Sequence, residues 1–306
     1  MRHDAAWRTK RTLAPGWRVA VRRMIGPMAR PPGPEASTAG GSSASGRGRH
    51  GRGRPSATSG LGLPPSTRAC LFDLDGVLTQ TARLHAAAWE LTFDGYLRRR
   101  AEERGEDYVP FDARRDYDEH VDGRPRADGV RAFLASRGII LPEGSPEDPP
   151  ELETVWGIGN RKNVVVAAML REHGVEAYGG SVRYVETARR RGLGCAVVSA
   201  SANCRAVLAA AGIDGLFDTV VDGELAAREH LAGKPEPDTY LAAAHLLGVA
   251  PSEGAVFEDA LAGVAAGRAG HFGWVVGVDR VGQATELRAH GADVVVEDLA
   301  DLLDDR

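Results

Sequence analysis

Phe72-Asp73-Leu74-Asp75-Gly76-Val77-Leu78-Thr79 is the stretch on which the reading of this chain turns. It grows out of a short apolar run, Ala69-Cys70-Leu71-Phe72, that stops at an acidic, glycine-containing turn. A continuous apolar run of that length is how a parallel strand, buried on both faces, ends at the carboxyl edge of a sheet. Side chains alternate along a strand, so carboxylates at Asp73 and Asp75 point the same way while the backbone stays extended. Both can then face one reacting atom. Asp73 can attack a phosphoryl group and become an aspartyl-phosphate. Asp75 can protonate a leaving oxygen and deprotonate the next acceptor. Two acids at this spacing also cap ordinary turns, so the pair gains weight only from motifs elsewhere in the chain.

Downstream, comparable apolar runs fall at 194–199, 255–257, 274–278 and 293–296. Helical patterns at 182–191, 204–211, 239–247, 260–269 and 284–290 separate them. Strands alternating with helices of about ten to fifteen residues imply βαβ units, hence an α/β fold with a doubly wound, Rossmann-like parallel sheet. Ligands in such sheets bind beyond the carboxyl ends of the strands. Residues 85–178 carry no convincing strand. Helical patterns at 85–104, 130–136 and 160–172, with a Pro- and acid-rich break at 144–150, read as an inserted α-helical cap. The core is then expected at 68–84 and 179–306.

Residues 1–67 read as a mostly disordered basic tail, crowded with Gly, Ser, Pro and Arg. A targeting peptide, a basic arm for an acidic partner, and upstream sequence outside the fold all fit, and Met24 and Met28 are candidate alternative starts. The tail holds 12 Lys+Arg against 2 Asp+Glu, which leaves 26 basic and 40 acidic groups in the remainder, a net of -14. So acidic a body disfavours nucleic acid and gains from bound cations. The three cysteines Cys70, Cys195 and Cys204 are odd in number and widely spaced, which argues against a disulfide framework or a zinc site and suits a cytoplasmic protein. No apolar stretch approaches the roughly 18 to 20 residues that span a bilayer.

Three further motifs sit at expected strand ends. Val197-Val198-Ser199-Ala200-Ser201 ends in hydroxyls that, with backbone N–H groups, can hold phosphate oxygens or simply cap the next helix. In Gly233-Lys234-Pro235-Glu236-Pro237-Asp238 two prolines pre-position a lysine able to pair with both a carboxylate and a phosphate. Glu258-Asp259, after Phe257, places acids where they are costly without a cation, and Mg2+ prefers hard carboxylate oxygens.

Nucleophile, hydroxyl, lysine and metal acids in that order resemble the four motifs of the haloacid dehalogenase superfamily, matched here from Asp73 to Asp259. The resemblance implies a capped α/β enzyme with Asp73, Asp75, Ser199 and Lys234 catalytic, and Asp73, Asp75, Glu258 and Asp259 around Mg2+. Dehalogenases in the superfamily need neither the second Asp nor the metal acids, so Asp75 and Glu258-Asp259 favour phosphoryl transfer. Finer detail is similar to the β-phosphoglucomutase branch. Thr81 and His85 follow Asp73 at that branch's spacing. Asp122-Gly123-Arg124-Pro125-Arg126 resembles its cap loop, with Arg126 at the arginine that grips the distal phosphate. Arg161-Lys162-Asn163 resembles a second substrate-contacting cap element, and Ser199-Ala200-Ser201 with Asn203 the sugar-binding turn. Gly123 and Ala200 fall within those elements. Ala202 departs from a lysine and Ala260 from a serine common in the branch. The implied activity is isomerisation of a β-hexose 1-phosphate to its 6-phosphate by a monomer. A sugar-phosphate phosphatase is the alternative, and a non-catalytic binding protein with a basic tail a remote one.

Overall fold

The computed structural model describes residues 57–304; the expectations for residues 1–56 lie outside that range. Six parallel strands form the core: β1 (Ala69–Phe72), β2 (Gly194–Val198), β3 (Thr219–Val221), β4 (Gly254–Glu258), β5 (Trp274–Val278) and β6 (Val294–Val296). Their order across the sheet is β3-β2-β1-β4-β5-β6. Every pairing is parallel, with Phe72 beside Val197 on one side and Phe257 on the other. The chain winds outward from β1 through β2 to β3, then crosses back and winds the other way from β4. That reversal lies between β1 and β4, and a doubly wound sheet opens its ligand crevice at such a point.

The central strands are apolar on both faces because helices cover both. Phe72, Cys195, Val197 and Phe257 pack with Tyr184 on one side, and Leu71, Ala196, Val198 and Val256 with Tyr240 on the other. Strand β3 escapes the sequence pattern: Thr219-Val220-Val221 opens on a polar residue and lies between Asp218 and Asp222, so only two apolar residues mark it. All three cysteines are buried and free.

The expected tail boundary at residue 67 is corrected by packing. Leu61 and Leu63 belong to the main core, and the Tyr184 hydroxyl donates to the Leu61 carbonyl at 2.8 Å. Two leucines set among Gly and Pro have no helical or strand period, and only the tertiary contact reveals them.

Between β1 and β2 the chain inserts four helices, α1 (Ala82–Arg104), α2 (Arg115–His120), α3 (Arg126–Ser136) and α4 (Val155–His173), before a fifth returns it to the sheet. Trp89, Phe93, Phe111, Phe133 and Ile158 give them a hydrophobic core of their own. Helix α1 ends where Gly105 takes a left-handed φ of 66°. Helix α4 begins where the Thr154 side chain accepts from the Gly157 N–H at 2.9 Å. The six-residue α2 is too short to read from sequence. Two linkers join this insertion to the sheet and run side by side: Gln80 donates to the Glu176 carbonyl, Tyr178 to that of Leu78, and Thr79 bridges Ala177. Six further helices complete the core: α5 (Gly179–Arg190), α6 (Cys204–Ala210), α7 (Gly223–Arg228), α8 (Asp238–Leu246), α9 (Leu261–Ala269) and α10 (Ala284–His290).

Candidate active site

The two strand ends flanking the winding reversal bring the acids together. The Asp73 N–H donates to the Phe257 carbonyl at 2.9 Å, which fixes the tip of β1 against β4. Carboxylate oxygens of Asp73, Glu258 and Asp259 then lie within 4.8 Å of one another, all three residues buried. Lys234 sits among them, 3% exposed, its Nζ 2.5 Å from Asp73 Oδ1 and 2.5 Å from Glu258 Oε1. One ammonium cannot neutralise three buried carboxylates, so the cluster has the charge to take a divalent cation. Burial pushes Asp73 and Asp259 well above the usual carboxylate range, with Lys234 opposing the shift at Asp73. Burial alone would pull Lys234 down, but Asp73 and Glu258 outweigh it and hold its ammonium well above the ordinary lysine value.

Two glycines make room for this cluster. A Cβ on Gly76, whose φ is 88°, would stand 1.7 Å from Asp259 Oδ2, and one on Gly263 1.7 Å from Glu258 Oε1. Glu258 is further fixed by the Tyr240 hydroxyl at 2.9 Å and the Ala260 N–H at 3.0 Å. Gln283 holds the Asp259 carbonyl at 2.9 Å.

Asp75 shares the cavity wall with Asp73, as the period of two anticipates. Its Oδ1, however, accepts from the Thr81 hydroxyl and lies 3.6 Å from His85 Nε2. The side chain therefore faces the linker, outside the three-carboxylate cluster. Thr81 in turn bonds Thr79 at 2.7 Å. His85 Nδ1 lies 2.9 Å from Lys162 Nζ. An ammonium has no lone pair, so Nδ1 accepts and the ring proton sits on Nε2, toward Asp75. Burial, then the Lys162 charge, pulls His85 down to about 4. Burial pulls Lys162 down to about 8, Asp75 partly offsetting it, and its ammonium rests 4.9 Å above the Trp89 ring.

Beyond these groups a cavity of about 800 Å3 separates sheet and insertion. Ser199, Ala200, Ser201, Gly123, Asn163 and Arg126 line it, whereas Thr81, Asn203 and Glu258 stand outside its wall. Asn203 reaches the insertion by donating to Asn163 Oδ1 at 2.8 Å. The Ser199 Oγ accepts the Ser201 N–H at 3.1 Å, and the Ser201 Oγ accepts that of Asn203 at 3.1 Å, which leaves both hydroxyl protons to offer. Arg126 opens α3, where the helix dipole disfavours a cation and favours an anion. Its Nε is buried without a hydrogen-bond partner, its guanidinium lies 5.7 Å from the Trp156 ring, and burial lowers its affinity for the proton. A half-buried guanidinium with an unpartnered Nε on a cavity wall calls for an anion.

Sequence reasoning passes over several groups. Tyr240 is one apolar-looking residue in a helical pattern, yet its hydroxyl meets Glu258. Asp122 lines the cavity, bonded by the buried Tyr117 hydroxyl and pushed up to about 7 by burial. Trp89 and Gln283 give no signal beyond their place in a helix face and a loop.

A doubly wound sheet with a helical insertion over an aspartate tip, a buried lysine and paired acids defines a class of phosphoryl-transfer enzymes. The chain belongs to the haloacid dehalogenase-like hydrolases, whose family profile matches residues 67–271. A β-phosphoglucomutase of Mycobacterium bovis is 59% identical over 246 residues, 79% of this chain and 94% of its own length. The crystal structure of β-phosphoglucomutase from Clostridium difficile superposes with a TM-score of 0.59 at 25% identity, over 77% of this chain and 93% of that one. CbbY from Rhodobacter sphaeroides in complex with xylulose-(1,5)bisphosphate gives 0.57 at 25% identity, over 78% of this chain and 99% of that one. Among the described residues no helix is long and apolar enough to cross a membrane.

Proposed function

We propose that this enzyme is a β-phosphoglucomutase, converting β-glucose 1-phosphate to glucose 6-phosphate with Mg2+ in the cytoplasm, as a monomer. The carrying observation is that one cavity is lined from the sheet side by Asp73, Lys234 and Asp259 and from the insertion by Arg126. A hexose bisphosphate needs both at once, whereas a simple phosphatase needs only the first. The name of the mycobacterial relative and the bisphosphate bound to CbbY support the same reading.

Asp73, Glu258 and Asp259 would hold the Mg2+, which when bound supplies positive charge for the transferring phosphoryl oxygens. The chain's own groups do the rest. Starting from Asp73 as aspartyl-phosphate, Asp75 takes the proton of the sugar's 6-hydroxyl while that oxygen attacks phosphorus and Asp73 leaves as carboxylate. The resulting 1,6-bisphosphate turns end for end. Asp73 then attacks the 1-phosphate, Asp75 returns its proton to the departing C1 oxygen, and glucose 6-phosphate leaves. Lys234 stabilises charge on the group in flight and Ser199 donates its free hydroxyl proton to it. Arg126 holds the phosphate that is not reacting. Thr81 and His85, with Lys162 behind, aim Asp75. Asn163 and Ser201, with the backbone at Gly123 and Ala200, meet the sugar, and Asn203 orients the Asn163 amide from behind. Shielding phospho-Asp73 from water then decides between sugar and water as acceptor.

The test supplies β-glucose 1-phosphate, Mg2+ and a catalytic amount of glucose 1,6-bisphosphate, and follows glucose 6-phosphate and free phosphate together. Glucose 6-phosphate as the main product is expected. Phosphate alone would replace the mutase with a sugar-phosphate phosphatase, and neither product would refute both.

A further inference from the structure

The loop between β5 and α10 reaches behind the site and takes hold of it twice. Asp279 shapes the loop: its Oδ1 accepts the N–H groups of Val281, Gly282 and Gln283 at 3.2, 2.7 and 2.9 Å. From that loop Gln283 grips the carbonyl of Asp259. Arg280 does something different. Its Nε donates to the Gly76 carbonyl at 2.8 Å, and Gly76 directly follows Asp75. Its Nη1 donates to the Glu297 carbonyl at 2.6 Å and lies 3.6 Å from Asp298 Oδ2. Its Nη2 is buried with no hydrogen-bond partner, and the guanidinium carbon sits 3.7 Å from the Tyr178 ring centroid. The side chain is 15% exposed.

Both linkers of the helical insertion converge on this guanidinium. Gly76 opens the first, since its N–H meets Thr79 in the turn that carries Thr81. Tyr178 closes the second, bonded to Leu78, and α5 follows at once. Asp298 completes the knot from the far side: a Cβ on Gly180 would stand 1.6 Å from its Oδ1, so α5 begins in contact with the carboxylate that faces Arg280. A planar fork with five donors and a stacking face suits this task; a lysine could keep one hydrogen bond but neither the fork nor the stack.

We infer that Arg280 is a positioning residue that couples the general acid/base to the two linkers of the insertion, so that Asp75 is aimed only while the insertion is seated. This inference rests on the phosphoryl-transfer reading of the site. Arg280 touches neither the cavity nor the acids themselves. It acts through the Gly76 carbonyl and the Tyr178 ring. Loosening it frees Asp75 from its bond to Thr81 and unseats the linkers together, which slows transfer and lets water compete for phospho-Asp73.

The decisive quantity is the ratio of free phosphate to glucose 6-phosphate formed in one sample, because that ratio does not depend on how much protein is folded. Wild type, Arg280→Met, Arg280→Lys and Tyr178→Leu are compared with β-glucose 1-phosphate, Mg2+ and the bisphosphate primer. Arg280→Met is expected to lower kcat by about 10- to 100-fold with KM within about twofold, and to raise the ratio at least about fivefold. Arg280→Lys should fall between it and wild type, and Tyr178→Leu should raise the ratio in the same direction. An unchanged ratio in both Arg280→Met and Tyr178→Leu overturns the inference, even if kcat falls, since loss of folded protein alone would do that. A KM increase that accounts for the whole loss overturns it too. If the wild type makes no glucose 6-phosphate, the mutase reading fails by itself, and the kcat-against-KM split for whichever product forms still decides the role of Arg280.

Discussion

Lys234→Met tests the electrostatic heart of the site. The substitution keeps most of the volume and removes the ammonium that stands 2.5 Å from both Asp73 and Glu258. Breaking a buried ion pair by deleting one partner costs about 3 to 5 kcal/mol, because the other charge stays buried and unpaired. For a folded unit of this size each kcal/mol moves Tm by about 2 to 4 °C, so the midpoint should fall by about 6 to 20 °C at pH 7 with a chelator present. The pH dependence has a definite sign. Without Lys234, burial and mutual repulsion leave Asp73 and Asp259 with folded-state pKa values above their unfolded ones. Such groups contribute stability that is full below the unfolded value, about 4, and lost as pH rises through the folded value. The deficit of the variant should therefore narrow on going from pH 7 to pH 5. Urea denaturation of both proteins at the two pH values measures it. Adding Mg2+ at about 100 times its Kd should return up to about 2.7 kcal/mol. A loss under about 1 kcal/mol at pH 7 in chelator, set against the 3 to 5 expected, or a deficit that widens on acidification, would refute the reasoning.

Gly76→Ala should weaken Mg2+ binding at least about tenfold and cost about 1 to 3 kcal/mol, since its Cβ would overlap Asp259 and its backbone is left-handed; calorimetric titration with Mg2+ checks the first, and unaltered affinity contradicts the cradle. Arg126→Ala should raise KM by about 10- to 150-fold, the equivalent of about 1.5 to 3 kcal/mol for hydrogen bonds to a charged group. Steady-state kinetics would expose the error if KM stayed put. His85, pulled down to about 4, contributes stability above its unfolded value of about 6.5 that is lost as pH falls toward the folded one. His85→Gln should therefore flatten the acid limb of the stability profile between those values, by up to about 3 kcal/mol, and identical limbs in wild type and variant would remove the assignment.

The tip of β1 is legible because a buried strand that halts at acids leaves an uninterrupted apolar run, and β2, β4 and β5 carry the same mark. What cannot be read has a different physical origin. Strand β3 offers only Val220 and Val221 between polar Thr219 and Asp222, too little to rise above its surroundings, whereas the three valines of the equally short β6 do. Leu61 and Leu63 are held by contacts with residues far along the chain, and nothing local distinguishes them from a Gly- and Pro-rich tail. In the site, residue type and position at strand ends single out Asp73, Glu258 and Asp259, which the fold brings together, whereas Lys234 reaches them from the loop between α7 and α8 and not from a strand end. Side-chain direction is another matter. The alternation that puts Asp73 and Asp75 on one face holds only up to the turn, where Gly76 takes a φ of 88° and Thr81 claims Asp75. Tyr240 and Arg280 act across the fold from ordinary-looking places, and such partners emerge only when distant loops are brought together.

The pairing of the two linkers has a bearing on how such a chain can diversify. Because the linker of exit at Leu78–Gln80 and the linker of return at Glu176–Tyr178 are hydrogen-bonded neighbours, both covalent connections of the insertion leave the sheet at one place. The intervening helices can lengthen, shorten or be exchanged while the ends that the sheet must accommodate stay the same distance apart. Extra residues there add only the slowly growing entropy of a longer excursion. Selection can thus reshape the sugar-facing half of the molecule without reopening the question of how the phosphate-facing half folds.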